Sequence, residues 1–332
     1  MTDAILKVVG ILGDFFVRSP TRFAPGTARC LTAFLVLAAC FGCDRSGDDR
    51  TSVEAPRIVV TDDTGYRIEL REAPARVVSI APNVTEIMFA IGADKKLVGV
   101  TDICDFPPEA TQKPKIGNFV NPDLEKIVAR EPDLVIGSGT FHPVLGRLRD
   151  LGVSVLSFNP TTIDELLVMI EKMGVVMECE APARELTTSL TTEIESVRSD
   201  LPTGDRVKVF VEIWHDPLMT AGAGSFVNDL VETAGGDNIA ASIRNHYFEI
   251  SQEHVLDANP DIILAAYMEK DVSAREMILN RETWRTVSAV ASGRVYDDID
   301  PDLLLRPSVR AVHTVKELAE RFYPERFGEQ SK

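Results

Sequence analysis

Apolar positions recur along this chain with two different periods. Residues 57–60 (RIVV) and 66–70 (YRIEL) alternate apolar and polar positions around Asp62, Asp63, Thr64 and Gly65, which predicts a hairpin. RVVSIA (76–81) is a continuous short run, the pattern of a buried strand. A helix follows: Asn83 stands where an N-cap would, Glu86 three positions on completes a capping box, and Gly92 supplies the stop. KLVGV (96–100), DLVIG (133–137) and VSVLSF (153–158) read as further strands, separated by amphipathic stretches near 123–130 and 144–151. Apolar strands alternating with amphipathic helices predict a mainly parallel sheet covered on both faces.

Residues 164–177 read as one helix. Residues 181–201 are polar and free of glycine, with Leu186, Leu190, Ile194 and Val197 at spacings of three and four. Such a helix is roughly 30 Å long, enough to cross between domains. Pro202, Thr203, Gly204 and Asp205 end it, and a second alternating block opens with KVFVEIW (208–214).

The second block echoes the first. DLEKIV (123–128) leads into PDLVI (132–136), and SQEHVL (251–256) leads into PDIIL (260–264), with the same spacing from Glu125 to Pro132 as from Glu253 to Pro260. AIGAD (90–94) and AGGD (234–237) each close a helix. The pattern predicts two three-layer α/β/α lobes with mainly parallel sheets, joined by a single long backbone helix. The expected divisions are a signal peptide at 1–39, a lipidated tether at 40–55, an N-terminal lobe at 56–178, the helix at 179–202 and a C-terminal lobe at 203–328.

Composition narrows the function. The 332 residues are 45% hydrophobic, enough for a real core, and carry a formal net charge of −16. That charge argues against sequence-independent binding of nucleic acid and against attachment to anionic lipid through a basic patch. Membrane contact is expected instead from the N-terminus. Arg22 and Arg29 precede the apolar run CLTAFLVLAA (30–39), too short to span a bilayer and suited to an export signal. The run ends in Leu37, Ala38, Ala39 and Cys40, which resembles the lipobox of bacterial lipoproteins, with Cys40 as the lipidated residue. DRSGDDRTSVEAP (44–56) then has the composition of a flexible tether. Cys43, Cys104 and Cys179 form no disulfide framework; export permits a Cys104–Cys179 bond, and Cys104 reads first as a small buried hydrophobe.

No hydrolase motif is present: Gly224-Ser225 is only faintly like a nucleophile turn and reads better as a helix cap. The five histidines are dispersed, which disfavours a zinc or manganese site. These absences give the expectation of a chain that is not an enzyme and holds no cofactor or structural metal; an exported hydrolase is the alternative from another class.

The segments RVVSIAPNVTEIMFAIGADKKLVGVTDICDFPPEA, KIGNFVNPDLEKIVAREPDLVIG, VEIWHDPLMTAGAGSFVNDLVETAGGDNIA and GRVYDDIDPDLLLRPSVR closely resemble the cobalamin-binding members of the helical-backbone periplasmic binding proteins. The resemblance runs from about residue 56 to residue 327. It implies a ligand cleft between two lobes, a stiff helix allowing small hinge motion, and delivery to an ABC importer, a transmembrane permease dimer with its ATPase. Docking on the permease by one surface glutamate per lobe falls on Glu125 and Glu253; the helix dipole alone would favour an acid there, and the paired placement favours docking. The implied ligand is cobalamin or a related corrinoid, with ferric siderophore or haem as the alternative within the same frame.

Ligands of open α/β sheets sit at strand C-termini. Candidates are Pro82, Asn83, Asp105, Phe106, Phe119 and Ser138 in the first lobe, and Trp214, His215, Ser225, Phe226, Tyr247, Phe248 and Arg306 in the second. By the resemblance, Phe119 matches a tryptophan of the corrinoid site, while Ile103 stands where a tyrosine is expected. A strand-end Trp214 beside polar residues favours the cleft over the core. His215 reads first as a hydrogen-bond partner and only then as a group approaching a central metal. Phe106, Phe226 and Phe248 fit core or cleft equally. Arg306 is expected to pair with Asp300 or Asp302 before it meets a ligand anion; Arg244 is the other basic candidate.

Overall fold

The computed structural model describes residues 58–139, 143–268 and 273–327. The expectations for residues 1–57, Cys40 included, lie outside it. The opening hairpin pairs β1 (Ile58–Thr61) with β2 (Arg67–Leu70). The buried Asp62 carboxylate holds its turn, accepting from the amides of Thr64 and Tyr66, and ties it to the first sheet by accepting from Ser157 N at 2.9 Å.

That sheet is parallel throughout, in the order β4 (Leu97–Val100), β3 (Val77–Ser79), β5 (Leu134–Ser138), β6 (Ser154–Phe158). Its helices are α1 (Pro82–Ala90), α2 (Leu124–Val128), α3 (Pro143–Asp150) and α4 (Ile163–Met177). The strut α5 (Glu180–Asp200) leads to a second sheet in which β7 (Val207–His215) lies parallel to β11 (Ile262–Ala265), and β11 to β12 (Val295–Tyr296). On the other side of β7, β9 (Gly236–Asn238) runs parallel to its first half. The rest of that edge is an antiparallel extension, β8 (Leu218–Ala221) followed by β10 (Tyr247–Glu249). Helices α6 (Phe226–Thr233), α7 (Gln252–Ala258), α8 (Ala274–Leu279), α9 (Ser288–Ala291), α10 (Pro301–Leu305), α11 (Val309–Phe322) and α12 (Pro324–Phe327) complete this half.

The internal repeat is visible in the backbone. The Asp133 carboxylate accepts from Arg76 N just before β3 while Asp133 N donates to Arg76 O; the Asp261 carboxylate and amide do the same with Lys208 at the start of β7. The residues just before Pro132 and Pro260, Glu131 and Asn259, both take positive φ, 48° and 47°. Gly92 and Gly235, after α1 and α6, also lie at positive φ. The sequence likeness thus reports one folding unit used twice.

Side chains alternate across each sheet, as strand geometry requires. Val78, Ile80, Val135 and Val155 pack beneath α2 and α3 on one face, and Phe210, Ile263 and Ala265 with Trp284 on the corresponding face of the second sheet. The opposite faces, with Val77, Leu134 and Ile136 on one sheet and Val209, Val211 and Leu264 on the other, join one apolar cluster that includes α1, α4, α5, α6 and α11. The strut is therefore one member of a shared helical layer. It buries Ala183, Thr187, Leu190, Ile194 and Val197; of the stripe read from the sequence, Leu186 is only partly buried.

A Cβ on Gly174 of α4 would stand 2.5 Å from Ala183 Cβ on α5, so close packing of this helix pair depends on that glycine. Gly174→Ala is expected to cost about 1–3 kcal/mol, the usual range for overpacking, read as a lower urea midpoint at unchanged slope.

Candidate functional site

The loop after β4 carries Ile103, Asp105 and Phe106, and the sequence builds it stiffly. Asp102 N donates to Gly117 O, and the Lys115 ammonium donates to the carbonyls of Thr101 and Cys104 at 3.2 and 3.0 Å. Below it the buried Cys104 thiol lies 3.1–3.2 Å from the hydroxyls of Thr101 and Thr85. Cys179 is at the start of the strut, its thiol donating to Met177 O, and both cysteines are free. The bond that export would permit is not formed.

Asp105 and Phe106 meet the other half of the molecule. Arg306, at the end of α10, places Nη1 at 2.9 Å from Asp105 Oδ1, Nη2 at 2.8 Å from Asp302 Oδ2, and Nη1 at 3.9 Å from Glu86 Oε1. Arg310 of α11 donates to both Glu86 oxygens, at 2.9 and 2.8 Å, and its guanidinium lies 4.0 Å from the centre of the Phe106 ring. The bidentate bond to Glu86 is the main reason the Arg310 pKa lies above its ordinary value; burial pushes Asp302 up, with Arg306 pulling it back. This cross-half cluster contains three of the sequence candidates, Asp105, Phe106 and Arg306, together with Asp302, one of the expected partners of Arg306. It also contains Glu86 and Arg310, which pattern reading missed.

The reason for missing Glu86 is local. Asn83 is not the N-cap of α1: Pro82, lacking an N–H, takes the first helical position, so Ala81 is the cap and makes no side-chain capping bond. Glu86 is thereby freed from a capping box and, at 2% side-chain exposure, pairs across the halves instead. Pro82 and Asn83 are both buried at the start of α1, and Asn83 Nδ2 has no hydrogen-bond partner among the described residues.

The second half gathers a different set. Trp214, His215 and Tyr267 form a ring cluster with centroids 4.8–5.8 Å apart. Trp214 is 4% exposed, and its indole N–H donates to Asp216 O, so the residue expected on the cleft face packs inward. Tyr267 donates to the fully buried Glu212 carboxylate, which also accepts from Arg281 Nη1 at 2.7 Å. Burial, then Glu212, pushes the Tyr267 hydroxyl far up. Phe226 is buried in the core, and Ser225 caps α6, its Oγ accepting from Asn228 N. Tyr247 and Phe248 lie half-buried on β10 against the two cores, Phe119 packs half-buried on the first, and Ser138 ends β5 half-exposed.

Apolar surface remains at the same strand ends. Ile103 and Phe106 in the first half, and Ile243 and Met268 in the second, are the exposed large side chains there, each 38–45% open. Ile243 rides on a loop whose carbonyls press so close to Gly222 that a Cβ would stand 2.5 Å from them. A concavity of about 790 Å³ lies elsewhere, along α5, α11 and α12, lined by Ser189, Thr192, Glu193, Glu320 and other polar residues. It contains none of the candidates, and an open polar trough offers a flat apolar ligand little to bury.

Glu125 and Glu253 are exposed in the first turns of α2 and α7. Asp123 and Ser251 cap those helices, accepting from Lys126 N and His254 N. Asp123 N donates to Ile116 O in the chain paired with the end of β4, and Ile250 N donates to Leu218 O beside the end of β7. Both glutamates therefore lie on the strand-end face that holds the cross-half cluster.

Known proteins share this fold. The uncharacterized ABC transporter substrate-binding lipoprotein YvrC of Bacillus subtilis is 29% identical over 90% of this chain and 98% of its own. The periplasmic vitamin B12 binding protein BtuF of Vibrio cholerae superposes with a TM-score of 0.66 at 26% identity, covering 77% of this chain and 99% of that one. The periplasmic heme-binding protein RhuT from Roseiflexus sp. RS-1, in apo form, gives a TM-score of 0.66 at 25% identity over 75% and 98%. The model of the family described as periplasmic binding protein matches residues 77–302, and the chain belongs to that family.

Proposed function

We propose that this protein is the solute-binding component of an ABC importer and carries cobalamin or a related corrinoid. Residues 56–178 and 203–328 act as the lobes, with 179–202 as the strut between them. The observation that carries the reading is the contact of both halves at their strand ends, where exposed Ile103 and Phe106 lie on the loop that meets Arg306 and Arg310, with Ile243 and Met268 exposed in the loops after β9 and β11. A corrinoid is a broad disc with an amide fringe, and it suits apolar side chains ringed by polar groups. Transfer to a permease with its ATPase would use Glu125 and Glu253 on that same face.

The protein acts outside the cytoplasm, held to a membrane through lipid on Cys40; no helix among the described residues is long and apolar enough to cross one. No chemistry is assigned to the site, which serves to hold and release its ligand. Haem is the second reading, favoured by the likeness to a heme-binding neighbour. Calorimetric titration of the mature protein with cyanocobalamin, cobinamide, haem and ferric siderophores separates them. Tight one-to-one binding of a corrinoid is expected; tight binding of a siderophore or haem with none for corrinoids rejects the ligand assignment.

A further inference from the structure

Both arginines of the cross-half cluster are already neutralised; exposed Arg244, beside Ile243, is not one of its members. Arg306 reaches Asp105, Asp302 and, at longer range, Glu86; Arg310 is bidentate to Glu86. Three carboxylates therefore face two guanidinium groups. Asp105 is 58% exposed, so its negative charge is presented to whatever approaches, and the face of Phe106 opposite such a ligand is braced by Arg310.

We propose that Asp105 and Asp302, by occupying Arg306, are specificity-determining residues that make this site discriminate against ligands bearing carboxylates. This rests on the reading of the strand-end face as the ligand site. An incoming carboxylate would meet an acid surplus, and capturing Arg306 would require stripping it from partners it already has. Leaving a carboxylate unpaired in a partly desolvated site costs more than a hydrogen bond returns. A ligand fringed with neutral amides escapes that penalty, accepting or donating at the rim without displacing an ion pair. Arg306 thus serves the site as a neutralised strut between the halves instead of an anion receptor.

Two matched pairs test this at pH 7.5 by calorimetry: cyanocobalamin against its monocarboxylic acid, and haem dimethyl ester against haem. The wild type is expected to favour the uncharged member of each pair it binds by about tenfold or more, or roughly 1.4 kcal/mol. Asp105→Asn combined with Asp302→Asn should shrink the ratio to about threefold or less by strengthening the carboxylate member. The single exposed change Asp105→Asn, which leaves the Arg306–Asp302 pair in place, should shift it in the same direction if the double variant folds poorly. A wild-type ratio near one, or selective loss of the carboxylate member in Arg306→Gln, overturns the proposal. Discrimination within the porphyrin pair without corrinoid binding rejects the corrinoid reading and keeps this one. Corrinoid binding without discrimination does the reverse, and binding of neither pair rejects both.

Discussion

Replacing Glu125 and Glu253 together by alanine should abolish ligand uptake in cells while leaving ligand affinity within about twofold of the wild type. Both side chains are exposed at the first turns of α2 and α7, so their loss from the isolated protein removes only the dipole contribution, about 0.3–1 kcal/mol each. At an interface the arithmetic differs. Truncating one partner of a buried charged pair costs about 2–5 kcal/mol, so two such losses weaken docking by a factor on the order of a thousand or more. Each helix is placed by its own cap and by the Pro-Asp turn that follows it, and neither depends on the glutamate. The measurement is uptake of labelled ligand beside calorimetry on the purified variant. Unchanged uptake would remove the pair from docking, and lost affinity would move it into the ligand site.

The largest expected stability effect is at Arg281. Glu212 is fully buried in the second half, and Arg281, itself lying 4.4 Å over the Trp284 ring, supplies the cation. Arg281→Ala leaves the carboxylate with Tyr267 as its remaining side-chain partner, and breaking a buried pair in this way costs about 3–5 kcal/mol. The double change Glu212→Met with Arg281→Met should recover most of that, because two apolar side chains leave no uncompensated charge. Urea unfolding of both variants checks this. Equal destabilisation by the single and double changes would mean that packing, not the unpaired charge, sets the cost. Tyr267, Trp214 and His215 form a ring cluster beside this pair, so Arg281→Ala should also loosen those rings.

Much of this architecture is legible in the chain because it is encoded locally and twice. The Glu-to-Pro spacing, the caps at Asp123 and Ser251 and the glycine stops at 92 and 235 each have a short-range physical cause, and each recurs in the second half. The β8 and β10 extension escapes such reading. Its strands are four and three residues long and hold together only by pairing with one another and with β7. The proposed ligand face is less legible still. Arg310 and Glu86 are 224 residues apart, and no local pattern announces that they pair. The inward packing of Trp214 depends on a bond to Asp216 O, made where the strand ends before a proline. A closer reading of Pro82 as a first-turn residue would have released Glu86 from its supposed cap and marked it as a buried acid in need of a partner.

Hydrogen exchange read by mass spectrometry, with and without cyanocobalamin, tests most directly whether one ligand is held between two halves. Slowed exchange is expected together in residues 101–106 of the first half and in residues 243–247 and 302–310 of the second, with the amides around Glu125 and Glu253 unchanged. Protection confined to one half, or along the polar trough beside the strut, would contradict the shared site.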